Sequence, residues 1–282
     1  MLHDRILNKI ISLQNYIDTD YPDTYISKLE YNNQNIIEIG VTHSRDPKHK
    51  NYILIKSAFE EFVKTHKSSK SVVLIENIIQ KRILPKNEMV SKLGESGFLL
   101  WLANKYKIQA ICPEPNQYEI IKLTSSHFDY TEEILLWIFV SLLRNLLAGD
   151  HILSHDLIEI IMKQIIKAGE IIKFKKTETE YLKIFEHQLT KITSNEISFS
   201  NKIELMNSNI DIRKLNGMLS PYLKKSLLNE VSAAINMSRD IHILSNKTNL
   251  LKKGFNIFSV FGKNHTICQE MALKEFIKLK ES

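Results

Sequence analysis

The chain has 282 residues, enough to bury a sizeable core, and 43% hydrophobic with 25% charged residues excludes a mostly disordered protein. Only 8 glycines and 6 prolines argue against an all-β fold with many tight turns and for helices. The net charge is +6, but the 38 basic residues are interspersed with 32 acidic ones and form no aromatic-interleaved basic patch, so no nucleic-acid partner is expected.

Residues 3–17 carry Ile6, Ile10, Ile11 and Leu13 at helical spacing, predicting an amphipathic first helix. A strand follows from Tyr25 to Tyr31, and an Asn32–Asn33 turn joins it to a second strand over 35–41 as a hairpin. That second strand ends in GVTHS: an apolar run stops at Gly40, and His43 stands three residues on in a polar loop. Asn51 to Thr65 reads as a helix with Ile55, Ala58, Phe59 and Phe62 on one face. SVVLIEN, 71–77, is a β-branched strand running into Glu76. A helix is predicted from Asn87 to Tyr106, with Glu95 near its start beside the apolar FLLWLA, and a fourth strand over 108–112 ends at Glu114 between Pro113 and Pro115.

From Tyr118 the strand-like alternation gives way to helical stretches at 131–147, 154–173 and 178–192, with 195–220 reading as a looser polar connection. The apolar run ILLWIFVSLL at 134–143 is about half the length that spans a bilayer and reads as a buried helix, so no membrane span is expected. A helix from Pro221 to Lys247 carries Arg239, and a strand over 255–261 then leads through Gly262 to His265 and a final helix. The expectation is an α/β fold: a mostly parallel sheet flanked by helices, built from 1–117 and 232–282 and interrupted by a long helical insertion, 118–231. Two cysteines, Cys112 and Cys268, without CxxC spacing, fit a reducing, cytoplasmic location. The first eighteen residues hold Asp4 and no small-residue cleavage site, unlike a signal peptide.

The chemistry-bearing residues gather at predicted strand ends. Gly40-x-x-His43 recurs as Gly262-x-x-His265, and the strand ends would also deliver Glu76 and Glu114. Imidazoles with carboxylates are the ligand set for zinc, manganese or iron, and equally the set for general acid–base hydrolysis. Glu95, a charge beside an apolar stretch, calls for a partner, unless it is simply a favourable carboxylate at a helix N-terminus. Arg239, beside Asp240 in INMSRDIHIL, could anchor a carboxylate or stabilise an oxyanion, or it could form an ordinary intrahelical or surface ion pair. His151 and His155, four apart, could share a metal on one helix face, but no HExxH accompanies them. No P-loop, dinucleotide fingerprint or GxSxG elbow occurs.

GVTHS, VVLIEN, GESGFLLWLANKYKIQAICPEP, and NMSRDIHIL followed by FSVFGKNH resemble the superfamily that groups erythromycin esterases, ChaN-like haem-associated lipoproteins, TraB proteins and Tiki proteases. The resemblance covers residues 36–115 and 232–272 and implies an α/β core. It implies His43 and His265 as paired histidines, Glu76 as the glutamate after an early strand, and Arg239 as the arginine of the helix before the last strand. It implies one of three activities: ester hydrolysis, metal-dependent peptide cleavage, or haem binding. Val41 stands where erythromycin esterases carry an acidic residue, which argues against macrolide hydrolysis, and the missing lipoprotein signal argues against an outer-membrane haem role. The expected function is hydrolysis of an ester or amide in a small molecule or peptide. His43, Glu76, Arg239 and His265 would be catalytic, with Glu95 and Glu114 secondary. His43, Glu76 and His265 would be the ligands if a divalent metal (Mn, Zn or Fe) is used. The alternative is a non-catalytic haem- or metal-binding protein using the same histidines.

Overall fold

The computed structural model describes residues 6–17, 19–66, 70–76, 82–148, 154–193, 199, 201–207 and 211–281. A five-stranded sheet is assembled in the order β1-β2-β5-β3-β4, from β1 (Thr24–Tyr31), β2 (Gln34–Val41), β3 (Ser71–Ile75), β4 (Gln109–Ile111) and β5 (Asn256–Gly262). The β1–β2 hairpin is antiparallel, and the other three pairings are parallel. Its two-residue turn takes positive φ at both Asn32 (47°) and Asn33 (67°), the left-handed pair that a tight hairpin needs and asparagine tolerates.

The chain forms two compact units, 1–115 with 239–282, and 116–238. In the first, α2 (Lys50–Thr65) and α3 (Lys86–Lys105) pack their apolar faces on Ile37, Ile39, Val73, Phe258 and Val260. The last helix, α11 (Lys263–Glu281), packs against β1, β2 and β5. Covered strands cannot show polar-out alternation, and β3 and β5 are buried at every position. Here the α/β fold with a largely parallel sheet and flanking helices is plain.

The second unit is helical: α4 (Gln117–His127), α5 (Thr131–Ala148), α6 (His155–Ile171), α7 (Glu178–Ile192), α8 (Lys202–Asn207) and α9 (Ile212–Met218), with the first half of α10 (Leu227–Lys252). Its own core gathers Leu135, Phe139, Ile161, Phe185 and Leu228. The 134–143 run is buried on α5, and no described helix is long and apolar enough to cross a membrane.

Three expectations change in detail. The helix predicted over 3–17 is interrupted: Ile6 and Leu7 are helical, a turn follows at Asn8 and Lys9, and α1 covers Leu13–Ile17, while residues 3–5 lie outside the described residues. The 195–220 connection contains α8 and α9, short helices whose six and seven residues are too few for periodicity to register. Helix α10 starts six residues later and ends five later than its apolar pattern predicts, because 221–226 form turns held by the Asn229 side chain, which accepts from the backbone N–H groups of Lys225 and Ser226.

Candidate functional site

Register brings the carboxyl ends of β2, β5 and β3 level. Val41 pairs with Gly262 and Ile75 with Val260, so His43, Glu76 and Gly262 emerge side by side at one sheet edge. That edge of a parallel sheet is where ligand sites are commonly built. Both motif glycines are there for closeness. A Cβ on Gly262 would stand 3.1 Å from His43 Nε2 and 3.6 Å from Glu76 Oε2; one on Gly40 would meet Lys263 Cα and Thr266 Cβ at 3.0 Å.

Helix α3 supplies the next residue through a break. Gly94 adopts φ 59°, ψ −137°, a conformation open essentially to glycine alone, and the helix restarts at Glu95. A Cβ there would also press on Ser44 O at 3.1 Å. Glu95 is only 2% exposed. Its Oε1 accepts from Ser44 N–H at 2.8 Å and its Oε2 faces His43 Nδ1 at 3.2 Å. Both readings of Glu95 therefore hold: it starts a helix and it has a partner. Tyr52 donates to Ser44 O and so holds the His43 loop from α2.

On its other side, His43 Nε2 lies 3.3 Å from Glu76 Oε2. The imidazole thus bridges two carboxylates, with its side chain 56% exposed. Glu76 also accepts from Gly262 N–H at 2.8 Å and faces Arg239 Nη2 at 3.7 Å, while Arg239 donates to Glu114. Electrostatics follow from this packing. Hydrogen bonds to Glu76 and then Glu95 raise the His43 pKa to about 10 against the opposing effect of burial. Burial pushes Glu76 up, but the His43 hydrogen bond, the nearby His265 and His43 charges and Gly262 N–H bring it down to about 2. Glu95 is likewise lowered despite its burial, by His43 and by backbone N–H groups. Burial lowers Arg239, but Glu114, Glu76 and Asp240 outweigh it and raise the guanidinium above its usual range.

His265 is placed differently. It is 3% exposed in the first turn of α11, with Nδ1 2.8 Å from Asp240 Oδ1. Its hydrogen bond belongs to a second, buried network. Gln269 donates to the same Asp240 oxygen at 2.5 Å and accepts from Lys247 at 2.8 Å, and Lys247 donates to Glu38 on β2. Glu38 is fully buried, and its Oε2 has no hydrogen-bond partner among the described residues.

The structure therefore joins His43, Glu76, Glu95, Arg239 and Glu114 through direct contacts and holds His265 behind them through Asp240. Sequence reasoning took Asp240 only with Arg239, not as the partner of His265, and passed over Gln269, Lys247 and Glu38. A signal was available for Glu38, a carboxylate inside the apolar IIEIGV strand, which requires a partner in the core. Another was the i, i+4 spacing of His265 and Gln269 on one helix face. His151 lies outside the described residues, and His155 sits 3.5 Å from Glu159.

As arranged, both nitrogens of His43 face carboxylates, and Arg239 balances Glu76 and Glu114. Among the described residues no group of three or more histidine, cysteine or acidic side chains is placed to hold a metal ion. The arrangement can pass protons and stabilise negative charge. In comparisons with known proteins, no family model, no curated protein and no solved structure matches the chain.

Proposed function

We propose that this chain hydrolyses an ester or amide bond, with His43 and Glu76 as the proton-transferring pair. The observation that supports this reading is a half-exposed imidazole set between a carboxylate buried behind it and one in front of it, at the carboxyl edge of a parallel sheet. Ester or amide hydrolysis needs an acceptor for the proton of the attacking water and a donor for the leaving group. A water entering between Nε2 and Oε2 separates the pair and frees Glu76 to take its proton. Attack forms the bond from water oxygen to the carbonyl carbon, and the His43 cation gives its Nε2 proton to the departing oxygen or nitrogen. Transfer from Glu76 to His43 then resets the site. Glu95 holds the ring and balances its charge, and Arg239 lies where it can attract a developing oxyanion.

The resemblance to the erythromycin esterase, ChaN, TraB and Tiki superfamily supports hydrolysis without selecting a substrate. In the rival proposal, a non-catalytic protein binds a divalent metal or haem through the same histidines. A metal ion would have to take the place of the His43 proton.

A panel of generic esters and peptides, assayed with chelator and with added Mn, Zn or Fe, tests the reading. Hydrolysis of at least one member, insensitive to chelator and lowered roughly 10²- to 10⁴-fold by His43→Ala or Glu76→Gln, is expected. No hydrolysis of any member, with haem absorbance or bound metal lost in His43→Ala, favours the rival and overturns it.

A further inference from the structure

A cavity lies in the same unit, between the start of α2 and helix α3. It encloses about 410 Å³, within the range of small-ligand sites. Its floor is aromatic. Tyr52 and Phe98 meet edge to face at 5.1 Å, and Phe98 stacks with Trp101 at 6.1 Å with planes 15° apart. Its rim is cationic, formed by Lys48, Lys56, Lys86 and Lys105, and among the described residues no carboxylate lines it. Lys86 stands over the Phe98 ring and Lys105 over Trp101. Lys56 leans toward Glu60 at 3.8 Å, and Asp46, the acid of the adjoining loop, accepts from the Lys48 backbone N–H.

The lining combines an aromatic floor with four lysines. Four ammonium groups brought to one rim without a carboxylate raise the local potential for anions. Lysine ammonium groups bind phosphate as compact point charges, without the bidentate geometry that arginine would impose. The stacked rings beneath suit the face of a planar ring, which adds attraction of a kind that an inorganic anion cannot use. We propose that this cavity binds a phosphorylated planar-ring compound of the nucleotide class, separately from the His43 site. The ligand would rest against Pro47 and His49, in the loop that carries His43, and against Tyr52, which holds that loop through Ser44.

Calorimetric titration of the full chain at low salt tests this with three probes: ATP, inorganic triphosphate and adenosine. ATP is expected to bind at least tenfold more tightly than either part, with affinity falling as salt rises. Lys86→Ala with Lys105→Ala should weaken ATP at least tenfold. Trp101→Ala should weaken ATP while leaving triphosphate unchanged. Lys163→Ala with Lys167→Ala, an equal change of charge on α6, should leave ATP binding intact. Three results overturn the proposal: no ATP binding at millimolar concentration, triphosphate as tight as ATP, or equal losses in the two lysine doubles. None of them bears on hydrolysis by His43, which is read in a different assay.

Discussion

At the scale of single residues, the site is governed by who surrounds His43. A strand-end histidine in a polar loop would ordinarily titrate near neutrality. Here two carboxylates keep it cationic up to about 10, and it keeps Glu76 ionised down to about 2. Both shifts couple stability to pH. The raised His43 pKa adds stability fully below its unfolded value of 6.5, and that stability is lost as pH rises toward 10. The depressed Glu76 pKa adds stability above its unfolded value of 4.5, lost as pH falls toward 2. The pairing therefore contributes most between those two unfolded values. Urea midpoints for the wild type and His43→Gln should converge as pH rises from 6 to 10, the wild type losing more. Parallel curves would show that the carboxylates do not hold the proton. Solvent over the exposed face of the ring keeps the effect modest.

Gly94 shows what an element can contribute through its interruption. A regular α3 would place Glu95 within a continuous helix; the break at Gly94 instead starts a new helix there and turns its carboxylate to Ser44 and His43. Gly97 lets the two halves close, since a Cβ there would fall 2.2 Å from Met89 O. Substituting Gly94→Ala asks an alanine to hold φ 59° against Ser44 O, a strain of about 1–3 kcal/mol. Chemical denaturation should register that loss, together with a weakened His43–Glu95 contact seen in a lower His43 pKa by NMR. An unchanged midpoint would mean that the helix straightens at no cost. The helix from Asn87 to Tyr106 was legible with Glu95 early in it, but the interruption was not, because glycine permits such a conformation without demanding it.

At the scale of the whole molecule, two hydrophobic clusters among the described residues share no residue: one built on the sheet with α2 and α3, the other among α4 to α10. Each holds one tryptophan in its packing, Trp101 in the first and Trp137 in the second. Single-tryptophan variants, Trp137→Phe and Trp101→Phe, therefore report the two units separately by fluorescence. Distinct denaturant midpoints are expected if each core unfolds on its own. Coincident transitions in both variants, at equal stability, would make the chain one cooperative block.

Periodicity and local chemistry were enough to read the strands, the Asn-Asn hairpin, the helical middle section and the α/β class. These follow from side-chain spacing and turn preference within short windows. Local chemistry also marked His43, Glu76, Glu95, Arg239, Glu114 and His265 as candidates, because polar groups at the ends of apolar runs are conspicuous. Strand order is a long-range choice that no window contains. By inserting β5 between β2 and β3, the fold sets Gly262 against both His43 and Glu76. It likewise turns His265 toward Asp240 rather than into direct contact with His43, and it buries Lys247 against Glu38. The residues that could carry protons were visible in the chain, but which carboxylate each would face was decided only when the last strand took the middle of the sheet.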